Sequence, residues 1–100
     1  MKLTPAEIDH ALAGLPGWTY RGEGLVRQFT LASFRDAIAF TTRLAFDAEA
    51  ADHHPDLLIS YRRVTVTWST HDAGGVTQKD VNGATATESI AKAFTRVATA

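Results

Sequence analysis

Three of the chain's four histidines fall in two short acidic clusters, Asp52-His53-His54-Pro55-Asp56 and Thr70-His71-Asp72. Imidazole exchanges protons near neutral pH, so one ring can donate while a second accepts. A carboxylate beside an imidazole fixes its tautomer and raises its basicity, and Asp52, Asp56 and Asp72 are near enough in sequence to do so. General acid–base catalysis is one reading of these residues. Two others stay open on the residues alone. His53 and His54 could sit in a polar loop that caps the end of a helix, where a cation is favoured. Three histidines with an aspartate could also bind zinc or another divalent metal, although adjacent imidazoles seldom reach one ion. His10 stands alone in a helical segment and reads as a surface residue.

The elements around the clusters decide whether they meet. Thr4-Pro5-Ala6-Glu7, Ser33-Phe34-Arg35-Asp36 and Thr77-Gln78-Lys79-Asp80 share one device, a hydroxyl followed three residues later by an acid. The hydroxyl accepts from an orphan backbone N–H, and the acid reaches back and favours the positive helix end. Three helices are therefore predicted. The first ends near Leu12, before Gly14 and Pro16. The second runs from Ser33 to about Ala51, with Phe34, Ile38, Thr41, Leu44, Ala45 and Ala48 on its apolar face. The third runs from Thr77 almost to the end, with Ala86, Ile90, Phe94 and Val97 as its stripe. Between the helices the period changes to two. Val64 to Thr70 alternates apolar residues with hydroxyls, which is a strand with one buried and one wet face. Leu57–Tyr61 precedes it, joined through Arg62-Arg63 as a hairpin turn. Trp18 and Tyr20 mark a strand that turns at Arg21-Gly22-Glu23-Gly24 into one carrying Leu25, Phe29 and Leu31.

The expected fold is α+β, in the order α-β-β-α-β-β-α. A four-stranded antiparallel sheet carries three helices on one face. The face bearing Thr65, Thr67 and Ser69 is then uncovered in a monomer. A hairpin's second strand returns to the level where its first began, so His71 should come back beside His53 and His54. Trp68 falls on the apolar side of its strand and reads as core. Trp18 either walls a pocket for a flat ring or closes the edge of the core. Gly74-Gly75 lacks the rest of a phosphate-binding fingerprint and reads as a flexible turn. Asp80 serves as the acid of a capping box and is free to serve a site as well.

Composition removes several function classes. A chain of 100 residues suits one domain spanning 1–100. With 45% hydrophobic and 21% charged residues it has an ordinary globular make-up, not a disordered one. Ten Lys+Arg against eleven Asp+Glu give no positive excess for nucleic acid. The absence of cysteine removes disulfides, thiolate metal sites and a cysteine nucleophile. No apolar run approaches the ~20 residues of a membrane span. Met1-Lys2-Leu3-Thr4-Pro5 opens no apolar signal segment, so a cytoplasmic protein is expected.

The spacing Glu49-x3-His53-His54-Pro55-x5-Tyr61-x9-His71-x8-Asp80 resembles the signature of the pterin-4α-carbinolamine dehydratases. Every position of that pattern is filled, and the element order also matches that family's fold. Gly17-Trp18 and Lys79-Asp80-Val81-Asn82 look familial too. One departure is Asp56-Leu57-Leu58, where the family often has an aromatic residue shortly after His-His-Pro. The resemblance implies dehydration of 4a-hydroxytetrahydrobiopterin to quinonoid dihydropterin, within tetrahydrobiopterin recycling, with no cofactor and no metal. It implies His53, His54 and His71 as the active-site histidines. His53 and His71 would handle the protons, and His54 would hold and polarise the pterin. Glu49, Asp52, Asp80, Trp18 and Tyr61 would bind or orient, with Asp80 orienting His71 and Trp18 walling the ring pocket. A homodimer or homotetramer is implied, with no nucleic-acid or membrane partner. The alternative is a non-catalytic pterin-binding or regulatory accessory module; the complete histidine set favours the enzyme.

Overall fold

In the computed structural model the backbone is described for residues 1–99 and the side chains for residues 1–94. Helix α1 (Pro5–Ala13) leads into strands β1 (Thr19–Arg21) and β2 (Gly24–Thr30), followed by helix α2 (Phe34–Ala51). Strands β3 (Asp56–Ser60) and β4 (Arg63–Trp68), a 3₁₀ turn (His71–Ala73) and helix α3 (Gln78–Thr99) complete the chain. The strands pair antiparallel in the order β1-β2-β4-β3. The predicted order of elements and the α+β layer are what the structure has.

Each predicted helix start is present, with different completeness. At α1 the box closes both ways: the Glu7 N–H donates to Thr4 Oγ1 at 3.2 Å and the Thr4 N–H donates to Glu7 Oε1 at 2.8 Å. At α2 the Asp36 N–H donates to Ser33 Oγ at 3.0 Å. At α3 the Thr77 N–H donates to Asp80 Oδ2 at 2.9 Å, while Thr77 Oγ1 accepts from the Lys79 N–H at 3.2 Å.

The inner face of the sheet follows the predicted alternation. Leu25, Phe29, Val64, Val66 and Trp68 are buried, with Leu25 opposite Trp68 and Phe29 opposite Val64. Thr65 and Thr67 point to the other face and are half-buried. Phe29, Phe40 and Phe94 form an aromatic run, with ring centroids 5.2 and 5.9 Å apart, that ties the sheet to α2 and α3. Ile8 brings α1 into the same core.

Two expectations are corrected, and a third, the α3 stripe, is met in part. Helix α2 buries Ala37, Phe40, Leu44 and Ala48, whereas Phe34 is 59% and Ile38 40% exposed and Ala45 is also exposed. The helix carries two apolar stripes at helical spacing, and the sheet covers only the one that includes Phe40. Helix α3 keeps Ile90 and Phe94 of its expected stripe against the core and adds Ala84, Thr87 and Ala91, with Ala86 half-buried beside them; the Val97 side chain lies outside the described residues. The β3–β4 turn is Tyr61-Arg62, because Arg63 already pairs with Ser60. Tyr61 takes the left-handed conformation there, with φ 56°.

Candidate active site

The end of α2 delivers the first histidine cluster. Asp52 adopts the left-handed conformation at φ 55°, which an aspartate tolerates better than most residues. Its N–H donates to the Glu49 carbonyl at 3.1 Å, and the His53 N–H donates to the Ala48 carbonyl at 3.2 Å. This is a Schellman closure, which satisfies carbonyls left over at the helix end. It reverses the chain and turns His53 inward. Pro55 prevents any continuation of the helix.

His53 Nε2 lies 2.7 Å from Asp80 Oδ1. The Asp80 side chain is fully buried and that of His53 is 16% exposed. A buried carboxylate needs donors, and Asp80 has two besides His53. Its Oδ2 accepts the Thr77 N–H at 2.9 Å and the Thr70 hydroxyl at 2.8 Å. An ionised carboxylate only accepts, so Nε2 of His53 carries a hydrogen and Nδ1 carries the lone pair of the neutral ring. The His53 ring also stacks on Trp68, with centroids 5.4 Å apart and planes 25° from parallel.

His53 and Trp68 line a recess of about 150 Å³ between α2 and α3, completed by Asp47, Ala48, Ala51, Lys79, Asn82, Gly83 and Ala86. Pockets that enclose whole drug-sized ligands run from about 300 Å³, so this recess has room for part of a ring system at its mouth.

The other histidines are arranged differently. His54 Nε2 meets Glu49 Oε1 at 2.8 Å on the surface, with side chains 59% and 78% exposed. Such a pair contributes little to stability. Glu49→Ala is therefore expected to change unfolding free energy by less than about 0.5 kcal/mol in a denaturant titration. His71 is exposed on the 3₁₀ turn and does not line the recess. It follows Thr70, whose hydroxyl reaches Asp80, so it stands at the rim where His53 enters. Among the described residues, no three His, Asp or Glu side chains converge so as to hold a metal ion.

Four expected placements change. Asp80 partners His53 rather than His71. Trp18 is core: it is 5% exposed, packs edge-on against Phe29, and its indole N–H donates to Glu88 Oε2 at 2.7 Å. Tyr61 is 81% exposed at the tip of the β3–β4 hairpin, the end opposite the one where His53 enters. Asp52 shapes the turn through its backbone, and its side chain is exposed. The sequence reading missed Trp68 as a site residue, together with Asp47, Lys79, Asn82 and Gly83. A signal for part of this was present. Lys79, Asn82, Gly83 and Ala86 recur at i, i+3, i+4 and i+7, one helix face beside the capping acid.

The structure is thus that of a small α+β protein with a carboxylate-anchored imidazole in a recess at the sheet rim. Residues 1–90 match the family model described as pterin 4 alpha carbinolamine dehydratase. A protein of Thermosynechococcus vestitus, provisionally named pterin-4-alpha-carbinolamine dehydratase, is 53% identical over 81 residues, covering 81% of this chain and 85% of its own. A protein of Roseiflexus with the same provisional name is 51% identical over 89 residues, 89% of this chain and 96% of its own. The crystal structure of a transcriptional coactivator/pterin dehydratase from Brucella melitensis superposes with a TM-score of 0.87 at 37% identity, covering 90% of this chain and 98% of that one. The chain belongs to the pterin 4 alpha carbinolamine dehydratase family, a family of hydro-lyases.

Proposed function

We propose that this protein dehydrates 4a-hydroxytetrahydrobiopterin to quinonoid dihydropterin and water, and so supports tetrahydrobiopterin recycling. The observation that carries this reading is the His53–Asp80 pair in a recess floored by an aromatic ring, in a chain of this family. In the reaction the N5–H bond and the C4a–O bond break, and a C4a=N5 double bond forms. The hydroxyl leaves with an added proton as water. No oxidant or reductant is consumed. His53 takes the N5 proton on Nδ1, and the resulting imidazolium is held by the Asp80 carboxylate. His71, at the rim, supplies the proton to the departing hydroxyl. His54, oriented by Glu49, holds the pterin, with Lys79 and Asn82 available for its polar edge. Solvent returns the two histidines to their starting states.

The same reading takes residues 1–100 as one catalytic domain that acts in the cytoplasm. No helix among the described residues is long and apolar enough to cross a membrane. It also takes the working form as a homodimer or homotetramer. The free edge of β3 and the outer sheet face with Leu58 65% exposed support self-association.

The test is a coupled assay. An aromatic amino-acid hydroxylase generates the carbinolamine, and quinonoid dihydropterin is followed by absorbance. Faster formation than the spontaneous rate is the expected result. A folded protein that binds pterin without accelerating the reaction would replace the enzyme with the non-catalytic binding module.

A further inference from the structure

Asp80 fixes one point of the His53 ring, Nε2, at 2.7 Å. One hydrogen bond leaves the ring plane free to swing, and the direction of Nδ1 with it. The stacked indole of Trp68, at 5.4 Å and 25°, removes that freedom. The indole is itself anchored. Its N–H donates to Thr87 Oγ1 at 3.0 Å, and that hydroxyl donates to the Gly83 carbonyl at 2.7 Å. Gly83 makes the arrangement sterically possible: a Cβ there would stand 2.5 Å from Trp68 Cδ2 and 2.6 Å from Cε2. A glycine inside a helix costs about 1 kcal/mol relative to alanine, so the contact it permits offsets a real penalty.

We propose that Trp68 is a positioning residue that sets the plane of the His53 ring, and that Gly83 exists to admit its indole. This rests on the reading of His53 as the proton-accepting group. Trp68 acts through His53 and needs no bond to the substrate. Its indole takes the place of a third anchor on the imidazole, after the Cβ of His53 and the Asp80 carboxylate.

The experiment compares the wild-type chain with Trp68→Leu, Trp68→Phe, Gly83→Ala and the Trp68→Leu/Gly83→Ala double variant. Two readouts are taken, the steady-state constants and the NMR signals of the His53 ring protons. An aromatic face shields those protons, so Trp68→Leu should move them downfield and Trp68→Phe should restore most of the shielding. Small misplacements of a reacting group cost up to about 10²-fold. Trp68→Leu is therefore expected to lower kcat by about tenfold or more with KM within about threefold, and Trp68→Phe to recover most of it. Gly83→Ala should lower kcat in the wild-type chain and have no further effect once Trp68 is leucine. Unshifted His53 signals in Trp68→Leu, or kcat within twofold of wild type, would overturn the inference. So would equal losses in the leucine and phenylalanine variants with the His53 signals unmoved. If Trp68→Leu does not fold, Gly83→Ala alone decides: an unshifted His53 ring and unchanged kcat overturn the proposal. A wild-type chain that shows the shielding but no dehydratase activity overturns the proposed function instead, and leaves the stack established.

Discussion

Replacing His53 with glutamine is expected to lower the rate of carbinolamine dehydration by about 10²–10⁴-fold, the range that positioned acid–base groups contribute. Glutamine is the informative substitute. Its amide N–H can still donate to Asp80, so the buried carboxylate keeps the donor that His53 supplies at 2.7 Å. The amide cannot take up a proton, so only the chemistry is removed. The residual rate should be close to the spontaneous one plus whatever binding alone provides. The melting temperature should fall by a few degrees at most, because the stacking on Trp68 is weakened and no buried charge is left alone. Initial rates and a thermal melt on the same preparation check both parts. A variant within twofold of the wild-type rate would mean that another group accepts the N5 proton.

Asp80→Asn should be nearly as damaging, by a different route. Oδ2 of Asp80 accepts from the Thr77 N–H and the Thr70 hydroxyl, while Oδ1 faces His53. An asparagine has one acceptor oxygen. If that oxygen keeps the two donors of Thr70 and Thr77, its NH₂ faces His53 Nε2. The ring must then accept at Nε2 and carry its hydrogen on Nδ1. The basic nitrogen is thereby turned away from the substrate side of the ring. A comparable tautomer inversion in a serine protease triad costs about 10⁴-fold, so a loss on the order of 10²–10⁴-fold is expected here. Loss of the charge-assisted bonds should also destabilise the fold by about 1–3 kcal/mol. For a domain of this size that is roughly 4–8 °C in Tm for each kcal/mol. Nitrogen-15 spectra of the His53 ring should show the hydrogen moved from Nε2 to Nδ1. A wild-type rate with the hydrogen still on Nε2 would remove Asp80 from its role.

Much of this arrangement was legible in the chain, for local reasons. Helix starts are local hydrogen-bond problems, so Thr4, Ser33 and Thr77 announced all three helices. Alternation is equally local, and it placed Trp68 inward beside Leu25. The hairpin rule brought Thr70 and His71 back to the rim where His53 enters, because β4 pairs with β3 from Ser60–Arg63 to Asp56–Thr67.

What was not legible depends on how distant elements meet. The resemblance assigned Asp80 to His71, and nothing in the spacing pointed to His53 instead. The choice falls to His53 because the left-handed Asp52 turns the chain inward one residue before it. Trp18, expected at the pocket wall by resemblance, closes the core instead, and Trp68, buried as expected, also faces the recess, for a similar reason. Glu88 on α3 draws the Trp18 indole into the core, and Gly83 on the same helix opens space for Trp68 against His53. The two apolar stripes of α2 have the same period, and only the sheet decides that Phe40 is buried and Phe34 is not. Tyr61 matched a motif position, yet it serves the turn at the far end of the hairpin.

The central claim is that His53, anchored by Asp80, is the group on which the dehydration turns. The most direct measurement runs wild type, His53→Gln, His54→Gln and His71→Gln side by side in the quinonoid dihydropterin assay, with each variant shown to be folded. The account predicts the largest loss of kcat for His53→Gln, a smaller one for His71→Gln, and for His54→Gln a change mainly in KM. A His53→Gln chain that keeps the wild-type kcat while His54→Gln or His71→Gln loses it would contradict the account.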